Sequence, residues 1–314
     1  MALYLVTGGA GFIGSNIVEE LLKRKDQVRV LDNFSTGRRE NLTDFMGRIE
    51  LVEGDLRDFK MVKRAVEGVD YVLHLGALAS VPRSIRDPMT SNEVNVNGTI
   101  NILLAAIGTS IKRIVYASSS SIYGDTPALP KVETMPPNPR SPYAVSKLAG
   151  EYYCRVFHAM YGLETVALRY FNIFGPRQDP SSQYAAVIPL FIKAMLKGEK
   201  PTIFGDGLQS RDFTFVANAV QANLLAANAP EAPGRVVNIA CSERYSLNEL
   251  IEKLNSILGT KIEPLHTEAR IGDVKHSLAD ISQARRILGY KPLVDFEEGL
   301  SKTVDWYRGS GISQ

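Results

Sequence analysis

We predict an α/β fold built on a doubly wound parallel sheet, with a smaller α/β region at the C-terminal end. Short apolar runs rich in β-branched residues alternate with helical patterns through the first half of the chain. This alternation is typical of parallel strands covered by helices on both faces. After Phe171, loops containing proline and glycine become frequent. We therefore expect one domain at 1–171, with a returning segment near 211–240, and a second region at 172–314.

The alternating pattern assigns the elements in turn. Strands are expected at Leu3–Thr7, Gln27–Asp32, Ile49–Gly54, Tyr71–Leu75, Arg113–Ser118 and Thr165–Arg169. Helices between them are expected at Ile13–Lys23, Phe59–Val66, Met89–Ile107 and Tyr143–Met160. The second region should contain helices at Leu247–Ile257 and Ser282–Leu288, and a strand near Val236–Asn238 that returns to the first domain.

Composition and charge exclude several classes of protein. The 314 residues are 45% hydrophobic and 22% charged, with a net charge of +2, so there is no basic stripe for nucleic acid. The apolar runs are too short for a membrane span or, at Leu3–Val6, for a signal peptide. Cys154 and Cys241 form no CxxC pair, so we expect free thiols, no metal site and a cytoplasmic location.

The first strand runs into a glycine turn at the start of a helix. Gly8, Gly11 and Gly14 are spaced G-x-x-G-x-x-G, and glycine permits a tight turn and a close approach of the backbone to a pyrophosphate. The N-terminus of the helix adds N–H groups and a positive dipole end. The segment therefore predicts a dinucleotide site on a Rossmann-like sheet.

Acidic residues follow at the ends of the second and third strands. The Asp32 carboxylate can accept hydrogen bonds from an adenosine ribose and repels a 2′-phosphate, which favours NAD over NADP. Arg38 and Arg39 argue the other way, since they could hold that phosphate, but they lie beyond the turn. Asp55 has two interpretations, a contact with the adenine amino group or a helix N-cap.

Tyr143 and Lys147 form a Y-x-x-x-K motif on a predicted helix. Residues four apart share one helical face, so the lysine ammonium should favour a tyrosine phenolate that can act as a base. The run Ser118–Ser121 ends the fifth strand, at the carboxyl edge where open α/β sheets bind ligands. These four hydroxyls indicate a reaction site; the alternative is a polar exit from the strand into a loop.

Together these motifs resemble the extended short-chain dehydrogenase/reductase family, and within it the UDP-sugar 4-epimerases, over nearly the whole chain. The resemblance also rests on Ile122-Tyr123-Gly124 after the serine run, on Ser141-Pro142 before Tyr143, and on Leu168-Arg169-Tyr170-Phe171-Asn172-x-x-Gly175. It implies catalytic roles for Tyr143, Lys147 and Ser119, the last because it lies four residues before Tyr123.

The resemblance implies that 1–171 is an NAD-binding domain and that 172–314 mainly binds a UDP-sugar. The expected cofactor contacts are Gly8, Gly11, Phe12, Ile13, Gly14, Asp32, Asn33, Ser35, Thr36, Gly37, Asp55, Leu56, Leu75, Ala77, Asn95, Ser118, Tyr143, Lys147 and Phe171. The expected substrate contacts are Ser80, Ser119, Ser120, Tyr143, Asn172, Ala186, Val187, Arg211, Arg270, Asp273 and Ser277.

Several of these residues suggest which substrate is bound. Arg211 and Arg270 resemble the two arginines that clamp the diphosphate, for which the guanidinium fork is well suited. Asp273 resembles the acid that holds a ribose hydroxyl, and Asn172 resembles the sugar- or phosphate-binding asparagine. Ser277 stands where epimerases restricted to glucose and galactose carry a bulky tyrosine. The resemblance thus extends to the subgroup that acts on N-acetylated UDP-hexosamines.

The resemblance also predicts a homodimer. The helices near Gly98–Ile107 and Leu148–Met160 resemble the pair that forms a four-helix interface in this family. The alternative is that all their apolar residues, among them Leu103, Leu104, Tyr152 and Phe157, face the sheet.

Related reactions need residues that this chain lacks or has replaced. A 4,6-dehydratase carries Asp-Glu in the two positions directly after the catalytic hydroxyl, where this chain has Ser120 and Ser121. A UDP-glucuronate decarboxylase carries Glu in the second of these positions, where this chain has Ser121. UDP-glucuronate 4-epimerases also have serine runs, but Asn172 stands where they tend to have threonine. A sensor that only holds NAD would generally lose the Tyr143–Lys147 pair. We therefore predict NAD-dependent C4 epimerisation of UDP-GlcNAc/UDP-GalNAc and also of UDP-glucose/UDP-galactose.

Overall fold

The computed structural model describes residues 1–180, 186–268 and 275–310. Its strands are β1 (Leu3–Thr7), β2 (Gln27–Asp32), β3 (Glu50–Glu53), β4 (Tyr71–His74), β5 (Arg113–Ser119), β6 (Thr165–Tyr170), β7 (Ile173–Phe174), β8 (Thr202–Phe204), β9 (Ser210–Arg211), β10 (Thr214–Phe215), β11 (Val236–Ile239), β12 (Tyr245–Ser246) and β13 (Leu265–Thr267). Seven of them form a parallel sheet in the order β11-β6-β5-β4-β1-β2-β3. This is the predicted doubly wound, Rossmann-like arrangement.

Helices cover both faces of this sheet. They are α1 (Phe12–Lys23), α2 (Phe59–Val66), α3 (Val81–Arg86), α4 (Pro88–Asn92), α5 (Gly98–Ala106), α6 (Pro142–Tyr161), α7 (Val187–Leu196), α8 (Val216–Asn228), α9 (Leu247–Leu258) and α10 (Phe296–Gly309). Within the described ranges, no helix is both long and apolar enough to cross a membrane.

The alternation of side chains along the strands produces two apolar layers. Val6 of β1 is buried in one layer with Ile17 of α1, whereas its neighbour Leu5 is buried in the other with Val62 of α2. Because successive residues of a strand point to opposite faces, each strand contributes to both layers. The chain runs outwards from β1 through β2 to β3 and then crosses back to β4 on the other side of β1. This reversal opens a crevice at the carboxyl ends of β1 and β4.

The C-terminal region packs around an aromatic cluster. The Phe296 ring of α10 stacks on Phe213 at 5.4 Å and on Tyr245 at 4.2 Å, and meets the Phe174 edge at 5.6 Å. These residues belong to the same continuous core as the α1 layer of the main sheet. Strand β11 returns to the sheet beside β6, where the sequence predicts it. This region is therefore held against the carboxyl edge of the sheet.

Two predicted helices contain wider turns. The helix expected at Met89–Ile107 is divided into α4, a π turn at Glu93–Asn97 and α5, and the helix expected at Ser282–Leu288 contains a π turn at Ala284–Leu288. A π turn adds a residue to the helical turn. The Asn95 side chain lies in the first of these turns, where its Oδ1 accepts from the Leu78 N–H at 2.7 Å and its Nδ2 donates to Ser146 Oγ at 3.0 Å. Apolar spacing alone could not indicate these turns.

Candidate active site

A cleft runs along the carboxyl edge of the sheet. The predicted cofactor residues that line it are Gly8, Gly11, Phe12, Ile13, Gly14, Asp32, Asn33, Ser35, Thr36, Gly37, Asp55, Leu56, Leu75, Ala77, Ser118, Tyr143 and Lys147. Asn95 and Phe171 are buried, and Phe171 packs 6.0 Å from the Tyr123 ring. Their contact with the cofactor stays a prediction.

Two glycines in the first turn are required by close contacts. Gly8 has a φ of +68°, and a Cβ there would lie 2.8 Å from the Gly76 nitrogen. A Cβ on Gly14 would lie 2.2 Å from the Gly8 carbonyl oxygen, so α1 can approach the turn only because Gly14 has no side chain. The first N–H groups of a helix have no partner within it. Phe12, Ile13 and Gly14, the first residues of α1, line the cleft. Their N–H groups form a cradle that fits a pyrophosphate.

Asp32 ties the glycine turn to the loop after β2. Its Oδ2 accepts from the Ala10 N–H at 2.9 Å and its Oδ1 accepts from the Phe34 N–H at 2.8 Å. Burial raises the pKa of Asp32, and these two hydrogen bonds oppose the shift. The carboxylate still lines the cleft, at the position where a dinucleotide ribose is expected.

The two arginines that could hold a 2′-phosphate have carboxylate partners. Arg39 Nη2 lies 2.6 Å from Glu53 Oε1, and the guanidinium stacks 3.9 Å from the centre of the Phe34 ring. Arg38 Nη1 lies 3.4 Å from Asp179 Oδ1. A 2′-phosphate would have to displace these carboxylates, so the arrangement favours NAD over NADP.

Asp55 lies in the cleft wall and does not cap the next helix. Asp58 is the cap of α2, and its Oδ1 accepts from the Lys60 N–H at 2.9 Å. Asp55 accepts from the Arg57 guanidinium at 2.8 and 3.0 Å and from Asn33 Nδ2 at 2.8 Å. The hydrogen bonds from Arg57, and then that from Asn33, lower the pKa of Asp55 to about 2. Of the two interpretations, the structure rejects the helix cap.

Helix α6 and the end of β5 bring the predicted catalytic residues together. The Tyr143 phenol is hydrogen-bonded to the Ser119 side chain. One helical turn further along, Lys147 Nζ donates to the Ala117 carbonyl oxygen at 2.9 Å. Tyr143 and Lys147 both line the cleft, so a pair of hydroxyls and an ammonium group meet at one place.

The ionisation of these groups differs in part from the sequence-based expectation. Burial lowers the pKa of Lys147 to about 8. Burial raises the pKa of Tyr143, with the hydrogen bond from Ser119 opposing the shift, whereas the sequence predicted that Lys147 would lower it. The apolar wall desolvates the phenolate. Tyr143 lies in the first turn of α6, whose positive end favours a negative charge.

A second cavity lies in the C-terminal region. Its lining includes four of the predicted substrate residues, Asn172, Ala186, Val187 and Arg211. Asn172 has a φ of +38°, and its Nδ2 donates to the Asp212 carbonyl oxygen at 3.0 Å. Tyr170, two residues earlier, lines the cofactor cleft. The end of β6 therefore joins the two cavities.

Backbone contacts hold Arg211 beside Ser277. Arg211 Nη1 donates to the carbonyl oxygens of Ser210 at 3.0 Å and of Lys275 at 3.2 Å. The Ser277 N–H donates to the Ser210 carbonyl oxygen at 3.0 Å. The structure thus brings these two predicted substrate residues together, while Arg270 and Asp273 lie outside the described residues.

The remaining predicted substrate residues are serines near the cleft. Ser80 caps α3, with its Oγ accepting from the Arg83 N–H at 3.2 Å, and follows Ala79 of the cleft wall. Ser120 begins the 3₁₀ turn that follows Ser119. Ser119 and Ser120 are both partly exposed. All these positions lie at the loops that follow β4 and β5.

Sequence reasoning missed several residues that hold the site in place. The buried Ser84 Oγ accepts from the Tyr143 N–H at 3.0 Å. The Asp212 carboxylate accepts backbone N–H groups of Cys241 at 3.0 Å and of Ala279 at 3.1 Å, and burial raises its pKa to about 7. In the sequence, the only indication that Asp212 belongs to the site is its position directly after the predicted substrate residue Arg211. Across the described ranges, no group of three His, Cys, Asp or Glu side chains is arranged to hold a metal ion.

Comparison with known proteins identifies the family. The model of the NAD dependent epimerase/dehydratase family matches residues 4–240, which is well over half of the chain. The chain belongs to this family. Membership confirms the extended short-chain dehydrogenase/reductase resemblance and the prediction that NAD is the cofactor.

Relatives of this epimerase/dehydratase family member match it over nearly its full length. A UDP-glucose 4-epimerase of Mycolicibacterium smegmatis is 39% identical, with 97% of this chain and 98% of the relative covered. The structure of a UDP-N-acetylglucosamine 4-epimerase from Methanobrevibacter ruminantium in complex with UDP-N-acetylmuramic acid is 42% identical, with a TM-score of 0.94 and 98% and 99% of the two chains covered. The Thermus thermophilus UDP-glucose 4-epimerase in complex with NAD is 38% identical, with a TM-score of 0.89 and the same coverage.

Proposed function

We propose that this protein epimerises C4 of a UDP-hexose with bound NAD, acting on UDP-GlcNAc/UDP-GalNAc and also on UDP-glucose/UDP-galactose. The observation that carries the proposal is the Tyr143–Ser119 hydroxyl pair beside Lys147, at the cofactor cleft. The names of the relatives above support the UDP-sugar class.

The cofactor cleft supplies a fitting place for NAD. The glycine turn and the start of α1 would hold the pyrophosphate, and Asp32 would accept hydrogen bonds from the adenosine ribose. Asp55, fixed by Arg57 and Asn33, stands at the adenine end. When bound, NAD would supply the hydride chemistry that oxidation and reduction at C4 of the sugar require. The protein contributes the orientation and the proton transfer.

The proton is handled by the residues of α6 and β5. As phenolate, Tyr143 takes the proton of the sugar 4-hydroxyl, and Ser119 donates or relays a hydrogen bond between the two oxygens. The resulting 4-keto sugar turns over in the pocket, and Tyr143 returns the proton after hydride addition. The Ser119 hydrogen bond and the positive end of α6 favour the phenolate against burial, and Lys147 is fixed on the Ala117 carbonyl in the same cleft.

The second cavity would hold the UDP part of the substrate. Arg211 lines this cavity and is anchored by two backbone carbonyls, and its guanidinium would bind phosphate oxygens of the substrate there. Asn172 lies at the junction of the two cavities, where the diphosphate or sugar would pass. With Arg270 and Asp273 added by resemblance, the nucleotide is fixed and the hexose is left free to turn.

The residues next to Ser119 argue against elimination. Ser120 and Ser121 occupy the positions where dehydratases and decarboxylases carry acids, and a serine hydroxyl cannot replace a carboxylic acid–base pair. We therefore expect epimerisation without loss of water or carbon dioxide.

Incubation with single substrates tests the proposed reaction. We expect UDP-GlcNAc and UDP-glucose each to be converted into the C4 epimer, with chromatographic separation of the products and no net consumption of NAD. UDP-glucuronate is the third substrate tested. Conversion of UDP-glucuronate alone would replace the proposal with a UDP-glucuronate 4-epimerase, and retention of NAD with no conversion of any sugar would indicate a binding protein.

We also propose that the protein is a homodimer through α5 and α6. Leu103 and Phe157 are buried against the sheet, but Leu104 and Tyr152 are 43% and 49% exposed. Further exposed apolar side chains on α6 are Val145, Tyr153, Val156, Met160 and Tyr161. Several exposed apolar side chains on one pair of helices are typical of a protein interface.

Light scattering at micromolar concentration should give twice the mass of one chain. Val156→Glu places a charge in the proposed interface and should shift the mass to that of a monomer, because an unpaired charge is costly to bury. Leu293→Glu is a matched control, since Leu293 is also exposed but lies away from α5 and α6. A monomeric mass for the native protein contradicts the proposal.

A further inference from the structure

Helix α6 presents a third polar side chain to the end of β5. Tyr143, Lys147 and Glu151 are spaced four residues apart, so they share one face of the helix. The first two contact Ser119 and Ala117, as described above. Glu151 contacts the residue between them, because Ser118 Oγ donates to Glu151 Oε1 at 2.5 Å. Three successive residues of β5 are therefore held by three successive turns of α6.

Glu151 is buried and paired with a single cation. It is 2% exposed, and Arg169 of β6 binds it with two hydrogen bonds, Nε to Oε1 at 2.9 Å and Nη2 to Oε2 at 2.8 Å. Arg169 Nη1 also donates to the Tyr123 hydroxyl at 2.8 Å, and that hydroxyl donates to Asn238 Oδ1 at 2.7 Å. The carboxylate can thus move neither along the helix nor away from the strand.

A buried ion pair is a poor device for stability alone. Removing two charges from water is costly, and apolar pairs of similar volume often stabilise a core equally well. The pair does, however, fix both carboxylate oxygens of Glu151 in place, and hydrogen bonds within a charged pair are short and strong. Ser118, which donates a hydrogen bond to Glu151, lines the cofactor cleft and directly precedes Ser119.

We infer that the Glu151–Arg169 pair is a positioning unit for the reaction, which fixes Ser118 and thereby holds the Ser119 hydroxyl against Tyr143. The inference rests on the proposed function. Beyond Ser119 the chain leaves the sheet and enters a 3₁₀ turn, so the sheet ladder restrains Ser119 from one side only. The Ser118–Glu151 bond supplies the restraint toward α6.

Three variants test this role by steady-state kinetics with the UDP-hexose that the native enzyme converts. Glu151→Gln keeps the shape and an acceptor but leaves Arg169 without its charge partner, and Ser118→Ala removes the donor. We expect each to lower kcat by about tenfold or more, since small misplacements of reacting groups are costly. KM should change little in both, and bound NAD should be unchanged in Glu151→Gln, because Glu151 lies outside the lining of the cofactor cleft. Ser118→Thr, which retains a hydroxyl, should recover most of the activity.

The pH profile separates positioning from general destabilisation. The Ser119 hydrogen bond lowers the pKa of Tyr143. If Ser119 moves away, the phenol pKa rises, and the acid limb of the kcat profile should shift to higher pH in Glu151→Gln and Ser118→Ala. A loss of stability alone would leave that limb in place.

Glu164→Gln is the matched control. It breaks a second ion pair of β5, in which Arg113 Nη2 lies 2.6 Å from Glu164 Oε2, at the opposite end of the strand. This variant should melt at a lower temperature without a change in kcat or pH profile. Unchanged kcat and pH limb in Ser118→Ala would overturn the inference, and this holds even if Glu151→Gln fails to fold. Absence of turnover by the native enzyme would overturn the proposed function and the inference together.

Discussion

Tyr143→Phe is expected to lower kcat by about a hundredfold or more, because it removes a positioned acid–base group, while the protein still binds NAD. The substitution deletes one oxygen, which is hydrogen-bonded to Ser119. It leaves the glycine turn, Asp32 and the Lys147 contact with Ala117 in place. Turnover of the preferred UDP-hexose and the NAD content of the purified protein are the two measurements.

Tyr152→Phe is the appropriate control for that variant. Tyr152 lies on the same helix but is 49% exposed and faces away from the cleft, so its variant should retain native turnover. Near-native turnover of Tyr143→Phe would reject Tyr143 as the base. Loss of bound NAD along with turnover would show that Tyr143 acts through cofactor binding.

The parts of the site that sequence predicted well are those built within one short segment. The glycine turn needs Gly8 and Gly14 because a Cβ at either would meet backbone atoms of the turn or of the loop after β4. The spacing of Tyr143 and Lys147 follows from helix geometry alone. Such local requirements leave a pattern in the sequence, so these four residues could be named before the fold was known.

The parts that were missed depend on contacts between distant segments. Glu151 of α6 pairs with Arg169 of β6. The place of Asn95 depends on a π turn, in which its side chain contacts Leu78 and Ser146. The pKa of Tyr143 depends on burial by the folded cleft. A charged residue in the otherwise apolar strand β6, and an acid on the Tyr143 face of α6, were signals of a buried pair.

We expect the second large effect at Ser277. We predict that this residue determines whether the enzyme accepts sugars with an acetamido group at C2. The segment of Ser277 is pinned on both sides, by its own N–H on the Ser210 carbonyl and by the Ala279 N–H on the Asp212 carboxylate at 3.1 Å. The neighbouring His276 is engaged with Ser210 Oγ at 2.9 Å. A new side chain at position 277 should therefore leave the path of the backbone unchanged.

Ser277→Tyr should lower kcat/KM for UDP-GlcNAc and UDP-GalNAc by about a hundredfold or more, since a pocket rejects a group that does not fit far more strongly than it rewards one that does. The keto sugar must rotate between two orientations, so the C2 substituent needs space on both sides. A tyrosine would fill the space that the acetamido group needs in one orientation, whereas UDP-galactose, with only a hydroxyl at C2, should retain its turnover.

Ser282→Tyr provides the control, because Ser282 lies in the same part of the chain but is exposed. It should leave both kcat/KM values unchanged, measured with UDP-GlcNAc and UDP-galactose in parallel. Equal loss of both activities in Ser277→Tyr, with the control intact, would mean that position 277 supports the pocket as a whole. If the native enzyme does not convert UDP-GlcNAc, a small residue at position 277 is not sufficient for activity on the N-acetylated substrates. The acetamido group needs space on both sides of the pocket, and space on one side alone would not be enough.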